Sequence, residues 1–188
     1  VTAIPLSCNC IVTFAHCLIF DYLFPLEREK MRIFARGQEY PFEWSVKDKV
    51  ICTDDDGELT YDLVFIEVRN KQLPAFKDSR SSFISEMELP ERDFRIAARF
   101  QSGLVVSGCK VDSQMYSRDG TAYQLNEGFR YLADTVMGDC GTPIMMAEGR
   151  HANKCIGIHV AGSARKDGVP TGLACRLTRE MIDEAIGD

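Results

Sequence analysis

No stretch of this 188-residue chain approaches the roughly 20 apolar residues that a membrane-spanning helix needs. The N-terminus lacks a basic region followed by an apolar run and a cleavage site, so no signal peptide is expected. It starts at Val1 and not at Met, as expected of a piece cut from a precursor or trimmed. Positive charge is in deficit: the net charge is −6, which excludes a generally basic surface for nucleic acid and leaves only a local patch. Metal-ligand pairs are scarce too. Cys8-Asn9-Cys10 has a C-x-C spacing, but no C-x-C, C-x-x-C or C-x-H pair follows Cys52. A structural zinc site needs four ligands, so none is expected, and no cofactor is implied. Internal repeats and low-complexity tracts are absent, and there are only three histidines.

What is present suits a packed globular protein. With 45% hydrophobic residues, the chain can bury a substantial core as one domain or two small ones. Ser7 to Ile19 reads as one strand ending near His16, and Phe20 to Tyr40 as surface loop and strand. Ser45 to Thr53 alternates apolar with polar, and Asp54-Asp55-Asp56-Gly57 supplies a turn. Asp62 to Val68 is a nearly continuous apolar run, hence a buried strand. Arg69 to Arg92 turns polar and charged, is broken by Pro74 and Pro90, and reads as a solvated linker between two halves. Beyond it, Phe94 to Phe100 and Leu104 to Val111 flank the hairpin signal Gln101-Ser102-Gly103. Thr121 to Leu125 and Phe129 to Val136 flank a second, Asn126-Glu127-Gly128. Pro143 to Met146, Cys155 to Val160 and Thr171 to Arg176 complete a set of short strands that argues for all-β barrels. Thr178 to Ile186 has a helical pattern with Thr178 as N-cap.

Two stretches carry chemistry. Met137-Gly138-Asp139-Cys140-Gly141-Thr142-Pro143 sets a cysteine between glycines on a tight turn, which can aim backbone N–H groups at one point beside the sulfur. A buried cysteine in a glycine-rich hairpin is the competing reading. Ile11 to Cys17 is an apolar run containing His16, a candidate general base for a thiol.

Together these motifs resemble the chymotrypsin-like cysteine proteases of positive-strand RNA viruses, above all the picornavirus 3C type and its versions in picorna-like viruses of invertebrates. The nucleophile motif G-x-C-G and the later G-x-H-x-A-G, here Gly157-Ile158-His159-Val160-Ala161-Gly162, occur in order. The resemblance implies an all-β protein of two antiparallel six-stranded barrels with a short C-terminal helix and the active site between the barrels. Residues 1–80 would be the first barrel, 81–92 the linker, and 93–188 the second barrel plus helix. Only fifteen residues precede His16, fewer than the family places there. The implied activity is polyprotein cleavage after Gln or Glu in the host cell cytoplasm, with no cofactor and no metal.

Cys140 is then the nucleophile and His16 the base. Asp62, at the family's acid position, would orient the His16 ring. Asp54, Asp55, Asp56 and Glu67 are rivals for that role. The N–H groups of Gly138 and Cys140, with Asp139 shaping the turn, would form the oxyanion hole. His159 and Thr135 would read the side-chain amide of the residue before the scissile bond. Val160, Ala161 and Gly162 would offer a strand edge to the extended substrate. His151 lies in a polar loop and receives no role. The nucleophile position holds Cys, so the eight cysteines read as reduced and intracellular and not as a secreted disulfide framework. Phe76 to Arg80 loosely resembles the family's RNA-contacting segment, with Lys71, Lys77 and Arg80 as phosphate partners. An RNA-binding module with a protease-like fold is therefore the second functional reading, and a secreted serine-protease relative the third.

Overall fold

A computed structural model describes residues 3–7, 10–13, 32–35, 37–41, 49–53, 59–67, 75–118, 121–164 and 167–187. Among these, the second half closes on itself. Strands β7 (Phe94–Phe100), β8 (Gly103–Arg118), β9 (Thr121–Leu132), β10 (Pro143–Met146), β11 (Cys155–Ala164) and β12 (Pro170–Arg176) form a six-stranded barrel in the order β10-β11-β12-β9-β8-β7. Pairing of Met145 with Ala97 and Met146 with Ile96 joins the ends. β7 shows why this sequence folds this way. Its alternation buries Phe94, Ile96, Ala98 and Phe100 and sends Arg95 and Arg99 to solvent, the period-2 pattern of a half-buried strand. Inside the barrel, Phe94 meets Phe129 edge to face at 5.8 Å between ring centroids.

The first half is built differently. β1 (Ile4–Ser7), β2 (Cys10–Thr13), β5 (Lys49–Thr53) and β6 (Leu59–Glu67) make a four-stranded antiparallel sheet in the order β1-β2-β6-β5. β3 (Arg32–Ala35) and β4 (Gln38–Pro41) pair with one another as a separate hairpin. Among the described residues this half does not close into a barrel. Leu63, Val64, Phe65 and Ile66 on β6 are all buried, which explains their unbroken apolar run. The halves share a core in which Leu6, Val12, Leu63 and Phe65 pack with Leu125, Ile158, Val160, Leu173 and Leu177. The C-terminal helix α1 (Arg179–Ile186) adds Ile182 and Ala185 to it, and Thr178 Oγ1 caps it by accepting the Met181 N–H at 3.3 Å.

Three sequence expectations need correction. Ser7 does not continue into the strand that leads toward His16: it ends β1 and lies opposite Cys10, the first residue of β2, while residues 8, 9 and 14–19 of that expectation lie outside the described residues. Asn126-Glu127-Gly128 is not a hairpin turn. β9 continues through it with a bulge: Asp112 pairs with Gly128 and Gln114 with Leu125, so Asn126 and Glu127 together face Ser113, and Glu127 takes φ +53. Gly128 is small because β12 crowds it: a Cβ there would lie 3.1 Å from the Ala174 carbonyl oxygen and 2.9 Å from Leu125 Cβ. The polar segment between the halves is also less solvated than its composition suggests. Phe83 and Ile84 are buried in it, Ile84 N–H donates to Cys155 O, and Ser79 N–H donates to Leu6 O.

Candidate active site

Cys140 lies on the turn that leads into β10 and packs against the core shared by the two halves. The turn closes where Asp139 N–H donates to Val136 O at 3.1 Å, with Gly138 at φ +100 and Gly141 at φ +93. Only glycine takes these angles without strain, so the glycines flanking Cys140 answer a backbone requirement. Among the described residues, the backbone N–H groups of Gly138 and Cys140 have no acceptor. Two unengaged donors beside a thiol are what a developing oxyanion needs.

Asp139 shapes this turn from inside. Its buried carboxylate accepts N–H from Gln101 (Oδ1, 2.9 Å) and from Val136 (Oδ2, 2.9 Å). Its carbonyl accepts the Thr142 hydroxyl at 2.6 Å. The loop is then stitched to β11, where Gly141 N–H donates to His159 O at 2.8 Å and His159 N–H donates to Thr142 O at 2.9 Å. The Cys140 thiol itself donates to Val160 O at 3.4 Å, so the sulfur faces the strand expected to hold substrate.

Beside the thiol opens a cleft of about 540 Å³. One wall is Thr135, Val136 and Met137, the other Val160, Ala161 and Gly162, and His159 also lines it. All five residues expected to bind substrate thus share one cleft with Cys140. Gly162 is needed there, because a Cβ on it would lie 2.6 Å from Thr135 Oγ1. Residues 102–188, which include this cleft, match the family of tungro spherical virus-type peptidases. The chain is similar to the viral 3C-type peptidases. The replicase polyprotein of acute bee paralysis virus (strain Rothamsted) is 46% identical over 43 residues, 23% of this chain and 2% of that polyprotein. The genome polyprotein of rice tungro spherical virus (strain A) is 32% identical over 83 residues, 44% of this chain and 2% of that polyprotein. The chain therefore spans a small fraction of either relative. A solved structure of the HRV-C 3C protein with rupintrivir superposes with a TM-score of 0.62 at 17% identity, covering 95% of this chain and 85% of that one. At that identity the likeness shows the fold, the chymotrypsin-like protease fold, and the matches together support a protease role.

Within this 3C-type fold, the structure adds a residue that the sequence reading missed. Tyr131 Oη lies 2.6 Å from His159 Nδ1, both side chains are buried, and Phe100 meets the imidazole edge to face at 5.1 Å. Burial first, then the negative groups nearby, push the Tyr131 hydroxyl well above its ordinary range, so it stays protonated. Where this hydroxyl donates to Nδ1, the imidazole proton resides on Nε2. A signal did exist: Tyr131 falls at an inward position of β9, and a buried phenol needs a partner.

His16 lies outside the described residues, as do Asp54, Asp55, Asp56 and Lys71. Asp62 is fully buried on β6, and its backbone N–H hydrogen-bonds the sulfur of Cys175. Glu67, the other acid on this strand, is only partly buried and lies opposite Cys10 at the far end of the β2–β6 ladder. Cys109, Cys140, Cys155 and Cys175 are free. Burial pushes the thiols of Cys109, Cys155 and Cys175 up to about 12, which leaves them inert near neutral pH.

Away from the cleft, Lys77 is exposed, whereas Arg80 pairs with Asp78 at 2.8 Å and with Asp183 of α1 at 3.2 Å. Two carboxylates thus occupy the guanidinium that the resemblance offers to phosphate. His151 Nδ1 lies 2.7 Å from Glu88, which also binds Lys154 at 3.1 Å. Among the described residues no cluster of His, Cys, Asp or Glu is arranged to hold a metal, and no helix is long and apolar enough to cross a membrane.

Proposed function

We propose that the protein is a viral cysteine endopeptidase that cleaves its polyprotein after Gln, or after Glu, by a Cys140–His16–Asp62 mechanism. The observation that carries this reading is the thiol of Cys140 beside two unengaged backbone donors and a cleft containing His159. The ladder between β2 and β6 supports the other two members. It pairs Thr13 with Val64, so the strand leading to His16 runs beside the strand bearing Asp62. In this reading residues 1–80 supply base and acid, 81–92 join the halves, and 93–188 supply nucleophile and pocket. Free thiols suit a reducing compartment, here the host cell cytoplasm.

The substrate enters extended and pairs with the edge at Val160 to Gly162. His16 takes the Cys140 proton as sulfur attacks the scissile carbonyl, and the N–H groups of Gly138 and Cys140 receive the oxyanion. The imidazolium of His16 then protonates the departing amine, leaving a thioester on Cys140 that water hydrolyses with His16 again as base. His159, held with its proton on Nε2, donates to the side-chain carbonyl of the glutamine, and Thr135 Oγ1 donates beside it. A pocket built to donate these bonds rejects an apolar side chain that leaves them unmade.

A peptide carrying an electrophile after Gln tests this directly. Mass spectrometry is expected to find it on Cys140, and modification of any other residue overturns the assignment.

A further inference from the structure

We propose that Gln101 is a positioning residue that holds the Met137–Gly138 peptide in the orientation the oxyanion hole requires. The inference rests on the reading of Cys140 as nucleophile and goes beyond it. The turn Val136 to Asp139 is closed by the Asp139 N–H to Val136 O bond, and its third residue, Gly138, has φ +100. A positive φ at that place is the mark of a type II turn; the type I alternative differs by a flip of the central peptide. Here the central peptide is Met137–Gly138, and its N–H is one of the two oxyanion donors. Flipped, it would turn the Gly138 N–H away and point the Met137 carbonyl into the space an oxyanion must occupy. The second state would be inactive with every side chain in place.

Gln101 opposes the flip at the atom that would move. Its Nε2–H donates to Met137 O at 3.1 Å, holding the carbonyl on the side away from the hole. The same residue is anchored independently, because its backbone N–H donates to Asp139 Oδ1 at 2.9 Å. The β7–β8 hairpin tip is therefore a strut against the catalytic turn, attached once through main chain and once through side chain. The amide also lies close over Gly138, where a Cβ would stand 2.6 Å from Gln101 Nε2, although it is the positive φ that calls for glycine there.

The side-chain bond can be cut without touching the main-chain one. Gln101→Ala removes the donor, and Gln101→Glu keeps the size but sets a carboxylate against the Met137 carbonyl. A solvent-exposed hydrogen bond of ordinary net strength biases a two-state peptide by roughly three- to tenfold, so kcat of Gln101→Ala is expected to fall by up to that factor, which is reached where the flipped peptide becomes dominant. Gln101→Glu is expected to lose more, with KM for a junction peptide within about twofold in both variants. Affinity for a peptide aldehyde, whose thiol adduct carries an oxyanion, falls in step with kcat. Alkylation of Cys140 by iodoacetamide, which forms no oxyanion, keeps its rate. In ¹⁵N spectra, the Gly138 amide of Gln101→Glu is expected to shift.

Unchanged kcat in both variants overturns the proposal, and so does a parallel fall in the iodoacetamide rate, which would mean general damage to the loop. Either result leaves the nucleophile assignment standing. That assignment fails separately, if Cys140→Ala still cleaves.

Discussion

The two halves of this molecule are organised around unlike problems. The second half is a closed barrel in which the Cys140 turn is tied to the β11 strand by short backbone bonds, such as Gly141 N–H to His159 O. The first half, among its described residues, is an open four-stranded sheet and a separate hairpin, joined to the barrel through a shared apolar core. In the proposed reading, the difference means that recognition and nucleophile form one unit, and that activation of the thiol depends on docking a second sheet against it.

Substitutions should therefore divide by half. The largest effects strike the chemistry. Cys140→Ala and His16→Ala are each expected to lower kcat by about 10³-fold or more in peptide cleavage, with thermal unfolding nearly unchanged. Asp62→Asn should cost less, on the order of tenfold, because a thiol needs its base oriented less than a serine hydroxyl does. An equal loss would merge the acid and the base into one indispensable unit.

Next come changes confined to the barrel. His159→Ala is expected to lose roughly 10²-fold in kcat/KM on Gln substrates while iodoacetamide still alkylates Cys140 at its normal rate. An unchanged preference would remove His159 from recognition. Tyr131→Phe, which deletes the partner of Nδ1, should lower kcat/KM for Gln substrates by about tenfold with less effect on other residues.

The smallest effect probes the join between the halves. Ser85 N–H and Lys154 lead the groups that hold the Glu88 carboxyl below its ordinary range. A carboxyl depressed in the folded state adds stability above its unfolded pKa and loses it as pH falls through the folded value. Urea midpoints of wild type should drop below about pH 4.5 more steeply than those of Glu88→Gln, and parallel curves would show that this clasp contributes nothing.

Where sequence patterns are local, they could be read. Phe94–Phe100, Pro143–Met146 and the Thr178 cap emerge where alternation and capping chemistry place them. That His159, Val160, Ala161 and Gly162 line one cleft with Cys140 was legible in part, because the G-x-H-x-A-G spacing sets them in a row on one strand. Other features depend on distant partners. Gly128 reads as a turn residue, and nothing nearby in sequence reveals that β12 crowds it. Tyr131 reads as a core aromatic until His159 is seen against its hydroxyl. The burial of Phe83 and Ile84 is likewise set by Cys155 and α1, far along the chain from them.

Gly172 carries a last lesson for anyone wishing to retune this pocket. The Tyr131 ring fills the space where a side chain at 172 would stand. Even an alanine at 172 would have to displace that ring, and the imidazole of His159 would lose its support with it. In the proposed reading selectivity is guarded by an absent methyl, so redesign is better begun at the exposed Ser163 than at the crowded base.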